Sequence, residues 1–170
     1  ESSFLKSSRA GALPIWPTSA WPIGTRAALA GVGLLGGSLG LNLKTRGLAR
    51  EVVGYVRRVG SIEECSRVGV VTRATLSMEE AFADAELVIF CVPVSQIPIL
   101  ARASLPFLKA GTIVTDVGST KGELVSELET IFEPAGVHFV GSHPMAGSEK
   151  TGPINAYLDL FRNTICLLTP

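Results

Sequence analysis

Hydrophobic and polar positions change rhythm near residue 26. Before it, serines (Ser2, Ser3, Ser7, Ser8) and prolines (Pro14, Pro17, Pro22) break every apolar stretch, so residues 1–25 predict an irregular leader. After it, short apolar runs alternate with segments of helical period. Arg26–Ala30 reads as a strand, Gly37–Lys44 as a helix, Glu51–Val56 as a second strand and Ile62–Arg67 as the next helix. The residues Ser61-Ile62-Glu63-Glu64 have the pattern of a capping box, in which serine and glutamate satisfy free backbone donors; Ser77-Met78-Glu79-Glu80 repeats it before a helix ending near Ala83.

Further along, Val70–Ala74 predicts a short strand. Leu87–Val92 is continuously apolar, the mark of a strand covered on both faces. Ile97–Leu108 predicts a helix that tolerates Pro98 in its first turn. Thr112–Val117 is the next strand, and Thr120-Lys121-Gly122-Glu123 predicts the cap of a helix whose Leu124, Val125, Leu128 and Ile131 share one face. His138–Val140 and Thr164–Leu168 close the series. Strands alternating with helices imply an α/β fold, a doubly wound and mostly parallel sheet of the dinucleotide-binding type, over residues 26–170. Ligands of such sheets sit beyond the carboxyl ends of the strands. The Gly31 loop, Pro93, Gly118-Ser119 and His143 all follow predicted strand ends, so they are expected to converge.

Composition narrows the partners. The chain has 170 residues, 46% hydrophobic, enough for one domain with a substantial core. Fifteen basic residues balance fifteen acidic ones, which argues against nucleic acid or an anionic membrane surface as partner. The longest apolar run, Leu87 to Val94, is far shorter than the roughly 20 residues that cross a bilayer. Three widely spaced cysteines in apolar contexts suit core thiols in a reducing, cytoplasmic compartment, and the two histidines do not join them at zinc-ligand spacing, so no metal site is expected.

Two loops carry the candidate chemistry. Gly31-Val32-Gly33-Leu34-Leu35-Gly36 follows an apolar strand and opens a helix, the context in which glycine spacing cradles a dinucleotide pyrophosphate. Gly31 allows the tight turn, Gly33 the approach of phosphate and Gly36 close helix packing; Leu34 and Leu35 lie within the same loop and join the expected cofactor set, and the helix N-terminus that follows offers its free amides to the anion. Val92, Pro93 and Gly118, at the ends of the neighbouring strands, complete the expected cofactor set. An acid that would hold a ribose hydroxyl is expected about 20 positions on. Val56 stands there, followed by Arg57 and Arg58, which favours the 2′-phosphate of NADP over NAD; the competing reading makes these arginines a solvated turn. The second loop, Gly141–Gly147, holds His143 between Gly141 and Pro144. Histidine exchanges a proton near neutral pH, and His143 is the candidate proton acceptor; the competing reading makes it a histidine bonded to backbone that merely shapes the loop. Ser119 either donates a hydrogen bond into the site or starts a helix, and Lys121 either adds positive charge there or is likewise a helix-start residue. His138, at a strand start, reads as structural.

Three segments, Gly31–Gly40 (GVGLLGGSLG), Asp116–Gly122 (DVGSTKG) and Gly141–Lys150 (GSHPMAGSEK), closely resemble the bacterial prephenate/arogenate dehydrogenases of tyrosine synthesis; Leu158–Phe161 and Ile165–Pro170 continue the likeness. The resemblance spans about residues 26–170. It implies NAD(P)-dependent oxidative decarboxylation of prephenate to 4-hydroxyphenylpyruvate, or of arogenate to tyrosine. It also implies that the histidine matching His143 takes the ring-hydroxyl proton while hydride leaves the same carbon, with the serine matching Ser119 beside it. Thr120 replaces a more usual valine, and Val56 a more usual acid. The family continues into a helical domain that forms a homodimer and supplies an arginine for the substrate carboxylate. This chain is therefore expected to be the cofactor-binding half, with little or no turnover alone. The alternatives are another dehydrogenase of the β-hydroxyacid or imine-reductase kind, or a non-catalytic nucleotide sensor.

Overall fold

The computed structural model describes residues 25–169. The expected leader, with Trp16 and Trp21, lies outside them apart from Thr25. Strands β1 (Arg26–Ala30), β2 (Glu51–Tyr55), β3 (Arg73–Thr75), β4 (Leu87–Phe90), β5 (Ile113–Asp116), β6 (His138–Pro144) and β7 (Cys166–Thr169) form one sheet in the order 3-2-1-4-5-6-7. The first six are parallel, and β7 runs antiparallel to β6. Helices α1 (Leu34–Thr45), α2 (Val59–Val68), α3 (Met78–Phe82), α4 (Ile97–Ser104) and α5 (Gly122–Phe132) make the crossovers.

Side-chain alternation along the central strands builds two cores. Ala28, Ala30, Val88 and Phe90 point to one face and join Phe82, Ile97, Leu128 and Phe132. Ala27, Leu29, Leu87 and Ile89 point to the other, with Val52, Cys65 and Val70. Because both faces are covered, β4 is buried at all four positions, as its unbroken apolar run predicts. Phe132 stacks between Phe90 and Phe139, with ring centroids 6.4 and 6.1 Å away. Burying such a ring stabilises the fold by about 1.5–3 kcal/mol. Strand order reverses between β1 and β4, so a crevice opens beyond their carboxyl ends.

Several local expectations are corrected. Helix α2 starts at Val59, so Ser61 lies inside its first turn and caps nothing; Arg58 occupies the N-cap in extended conformation, without a side-chain bond. Ser77 does cap α3, its hydroxyl accepting from the Glu80 amide at 3.2 Å. The Glu80 carboxylate does not close that box, because it accepts instead from the Thr75 hydroxyl at 2.6 Å. Thr120 does not cap α5 either: Lys121 takes the N-cap position. The segment Ile97–Leu108 is helical only to Ser104, then tightens into a 3-10 turn at Leu105–Phe107, where Pro106 sits. Strand β6 runs on to Pro144, because β7 supplies a second partner where β5 ends. Thus His143 stands on a strand, opposite Leu167, and not in a loop. Cys65 is buried and Cys91 partly so, but Cys166 is exposed: β7 is an edge strand, and Ile165, Leu167 and Leu168 are exposed with it.

Candidate active site

The glycine loop is shaped by close approach. Gly31 has φ +95°, and a Cβ there would stand 2.7 Å from a Val92 methyl and 2.8 Å from the Cys91 carbonyl. At Gly36 a Cβ would meet the Gly31 carbonyl at 2.2 Å, so only glycine lets α1 pack on its own loop. Gly33 differs: nothing lies within 4 Å of a Cβ there. Open space at this glycine suits an approaching phosphate. Helix α1 has no side-chain cap and no acid in its first turn, leaving its N-terminal amides and partial positive charge to an anion. The residues present therefore fit a dinucleotide.

Two cavities flank this loop. The first, about 250 Å³, is lined by Gly31, Gly33, Tyr55, Val56, Arg57, Arg58, Ser61 and Glu64 on one side and by Val92 and Pro93 on the other. Val56 is buried in the core, and no carboxylate stands at the end of β2. Arg57 and Arg58 are exposed, and neither side chain has a hydrogen-bond or ion-pair partner among the described residues. The uncapped start of α2 faces the same corner.

The second cavity, about 520 Å³, shares Gly33, Cys91, Val92, Pro93 and Gly152 with the first, so the two form one groove. Its walls include Leu34, Leu35, Gly118, Ser119 and His143. Of the residues singled out from sequence for the site, Gly36 and Lys121 line neither cavity; Gly36 is buried against the loop. His143 is held by strand pairing on the β7 side, and the Met145 amide donates to the Ile165 carbonyl at 2.8 Å. Ser119 follows Gly118, whose amide donates to the Asp116 carboxylate at 2.8 Å.

Sequence reasoning missed what lies beneath. Asp116, fully buried, receives the Lys121 ammonium in an ion pair, so Lys121 supplies its charge under the site and does not line this cavity. Ser142, next to His143, donates its amide to the same carboxylate at 3.2 Å. A polar residue closing the apolar strand Ile113–Asp116 was the available signal. Burial, followed by the Asp116 charge, drives the Cys91 thiol far above its ordinary pKa, so Cys91 lines the groove as a neutral group. Also unforeseen were two 3-10 turns, Pro153–Asn155 and Leu158–Phe161, pinned on α1: the Tyr157 amide donates to the Ser38 hydroxyl at 3.0 Å, and Asn42 to the Leu158 carbonyl at 2.9 Å. They set Gly152 and Pro153 at the mouth of the first cavity.

The family model described as prephenate dehydrogenase, nucleotide-binding domain, matches residues 39–170. The chain belongs to the prephenate dehydrogenase family. It is 34% identical over 140 residues to a prephenate dehydrogenase of Lactococcus lactis, covering 82% of this chain and 39% of that one. Among solved structures, prephenate dehydrogenase of Aquifex aeolicus, in complex with hydroxyphenyl propionate and NAD+, superposes with a TM-score of 0.78 at 32% identity, covering 86% of this chain and 50% of that one. Arogenate dehydrogenase of Synechocystis gives the same TM-score at 28% identity, again over 86% and 50%. The chain thus spans about two fifths to one half of these relatives. As a match to the nucleotide-binding domain of this prephenate dehydrogenase family, it is a nucleotide-binding fold. No helix among its described residues is long and apolar enough to cross a membrane.

Proposed function

We propose that this chain is the cofactor-binding half of a dehydrogenase that oxidatively decarboxylates prephenate or arogenate. The observation that carries the reading is a single groove: His143 and Ser119 line the same cavity as Gly33, Leu34 and Leu35 at the dinucleotide loop. The glycine loop and the start of α1 hold the pyrophosphate. Nicotinamide, when bound, supplies the hydride acceptor. His143 takes the proton of the substrate ring hydroxyl, which raises the electron density that expels hydride from the same carbon. Ser119 donates a hydrogen bond beside that hydroxyl. Val92, Pro93 and Gly118 wall the groove and exclude water from it. Loss of carbon dioxide leaves an aromatic ring, which pulls the reaction forward.

Val56 without an acid, the unpartnered Arg57 and Arg58, and the uncapped start of α2 together support NADP as the preferred cofactor. Glu64 in the same cavity opposes this preference, and we weigh two adjacent guanidinium groups above one carboxylate. By the family resemblance, the reading extends to a homodimer in which a helical domain supplies an arginine to the substrate carboxylate; the relatives are about twice the length of this chain.

The test is steady-state oxidation of prephenate and of arogenate by the full-length protein and by His143→Asn. The substitution is expected to lower turnover by roughly 10²–10⁴-fold at unchanged cofactor affinity. Near-wild-type turnover would remove His143 as proton acceptor.

A further inference from the structure

The ladder between β5 and β6 stops at the pair Thr115–Val140. Beyond it β5 ends at Asp116 while β6 continues against β7, and both reacting side chains lie past this point. Asp116 bridges β5 and β6 there. Its Oδ2 accepts the Gly118 amide at 2.8 Å and pairs with the Lys121 ammonium, while its Oδ1 accepts the Ser142 amide at 3.2 Å. Its main-chain carbonyl accepts the Ser142 hydroxyl at 2.5 Å, and that hydroxyl in turn accepts from Thr115 at 3.2 Å. Gly118 immediately precedes Ser119, and Ser142 immediately precedes His143. One carboxylate therefore grips the backbone one residue before each.

The chemistry selects an ionised carboxylate. All three donors aimed at this side chain are N–H groups, and a carboxylate offers only acceptors. An amide of the same shape would turn an NH₂ toward one of them. Gly118 fits the same demand, because a Cβ there would lie 2.8 Å from the Asp116 carboxylate. We propose that Asp116 is the positioning residue of the site, setting the spacing between His143 and Ser119 past the point where the β5–β6 ladder stops. The proposal rests on the reading that these two side chains act together on the substrate hydroxyl. Asp116 itself touches neither substrate nor cofactor; it acts through backbone.

Asp116→Asn and Ser142→Ala test it. The chain has only two histidines, so a ¹⁵N-histidine spectrum reports His143 directly, with His138, at the far end of β6, as internal control. In both variants the His143 imidazole signals are expected to move while those of His138 stay. In the full-length protein kcat is expected to fall roughly 10- to 100-fold for Asp116→Asn and less for Ser142→Ala, with the cofactor KM little changed. A folded variant with unmoved His143 signals overturns the proposal, and so do moved signals with unchanged kcat. If Asp116→Asn does not fold, Ser142→Ala, which keeps the Asp116–Lys121 pair, decides alone by the same criteria. Absence of wild-type turnover on prephenate and arogenate would instead sink the dehydrogenase reading, while the histidine spectrum would still judge the placement.

Discussion

The two walls of the groove are built by different means. On the β1–α1 wall the working parts are backbone: glycines remove side chains so that carbonyls, amides and a ligand can approach closely. On the β5–β6 wall the working parts are side chains, and they are held by a buried charge pair and hydrogen bonds between residues 26 positions apart. A wall made of backbone fails when volume is added. A wall made of buried charge fails when a partner is taken away. The contrast predicts which substitutions damage each side, and how.

The largest stability effect is expected on the second wall. Lys121→Met strands the Asp116 carboxylate in a site with no exposed surface, and unfolding by urea should show a loss of about 3–5 kcal/mol. Adding Asp116→Asn removes the orphaned charge and should restore part of that loss; no recovery would mean that the pair does not organise this wall.

On the first wall, Gly36→Ala sets a methyl against the Gly31 carbonyl. It should cost about 1–3 kcal/mol in the same measurement and weaken cofactor binding, since the loop must move to admit it. Smaller still is the effect of removing both Arg57 and Arg58 by alanine. NADP⁺ affinity should drop about 10-fold, or roughly 1.4 kcal/mol, while NAD⁺ affinity stays and stability changes by less than about 0.5 kcal/mol. Equal losses for both cofactors would refute the 2′-phosphate site.

The smallest effect concerns the thiols. Cys166 on the exposed edge should react with a thiol reagent in the native chain at mildly alkaline pH, whereas Cys65 and Cys91 should not. Burial, with Glu64 nearby, pushes the Cys65 thiol from 9.0 up to about 11. Between those values the unfolded thiol ionises and the folded one does not. The contribution of Cys65 to stability is therefore intact below pH 9 and declines as pH rises through this window.

The same contrast explains what was legible in the sequence. The glycine wall is a local device: strand, turn and helix are contiguous, so spacing alone places Gly31, Gly33 and Gly36. The sheet was legible for a similar reason, since the strands covered on both faces read as apolar runs. The second wall is not local. His143 could be picked out, but its placement on a strand depends on β7, 23 residues further on, and its anchoring depends on Asp116. Serine and threonine near helix starts also misled, because one pattern can serve a cap, as at Ser77, or lie inside a turn, as at Ser61. The backbone that chooses between them is set by where the preceding strand releases the chain.

In the proposed function, cofactor and proton acceptor meet in a single groove. A crystal structure of this chain with NADP⁺ tests it directly. The pyrophosphate is expected on the Gly31–Gly36 loop and the nicotinamide in the cavity between Ser119 and His143. A nicotinamide lying outside that cavity, with the pyrophosphate in place, would contradict the account.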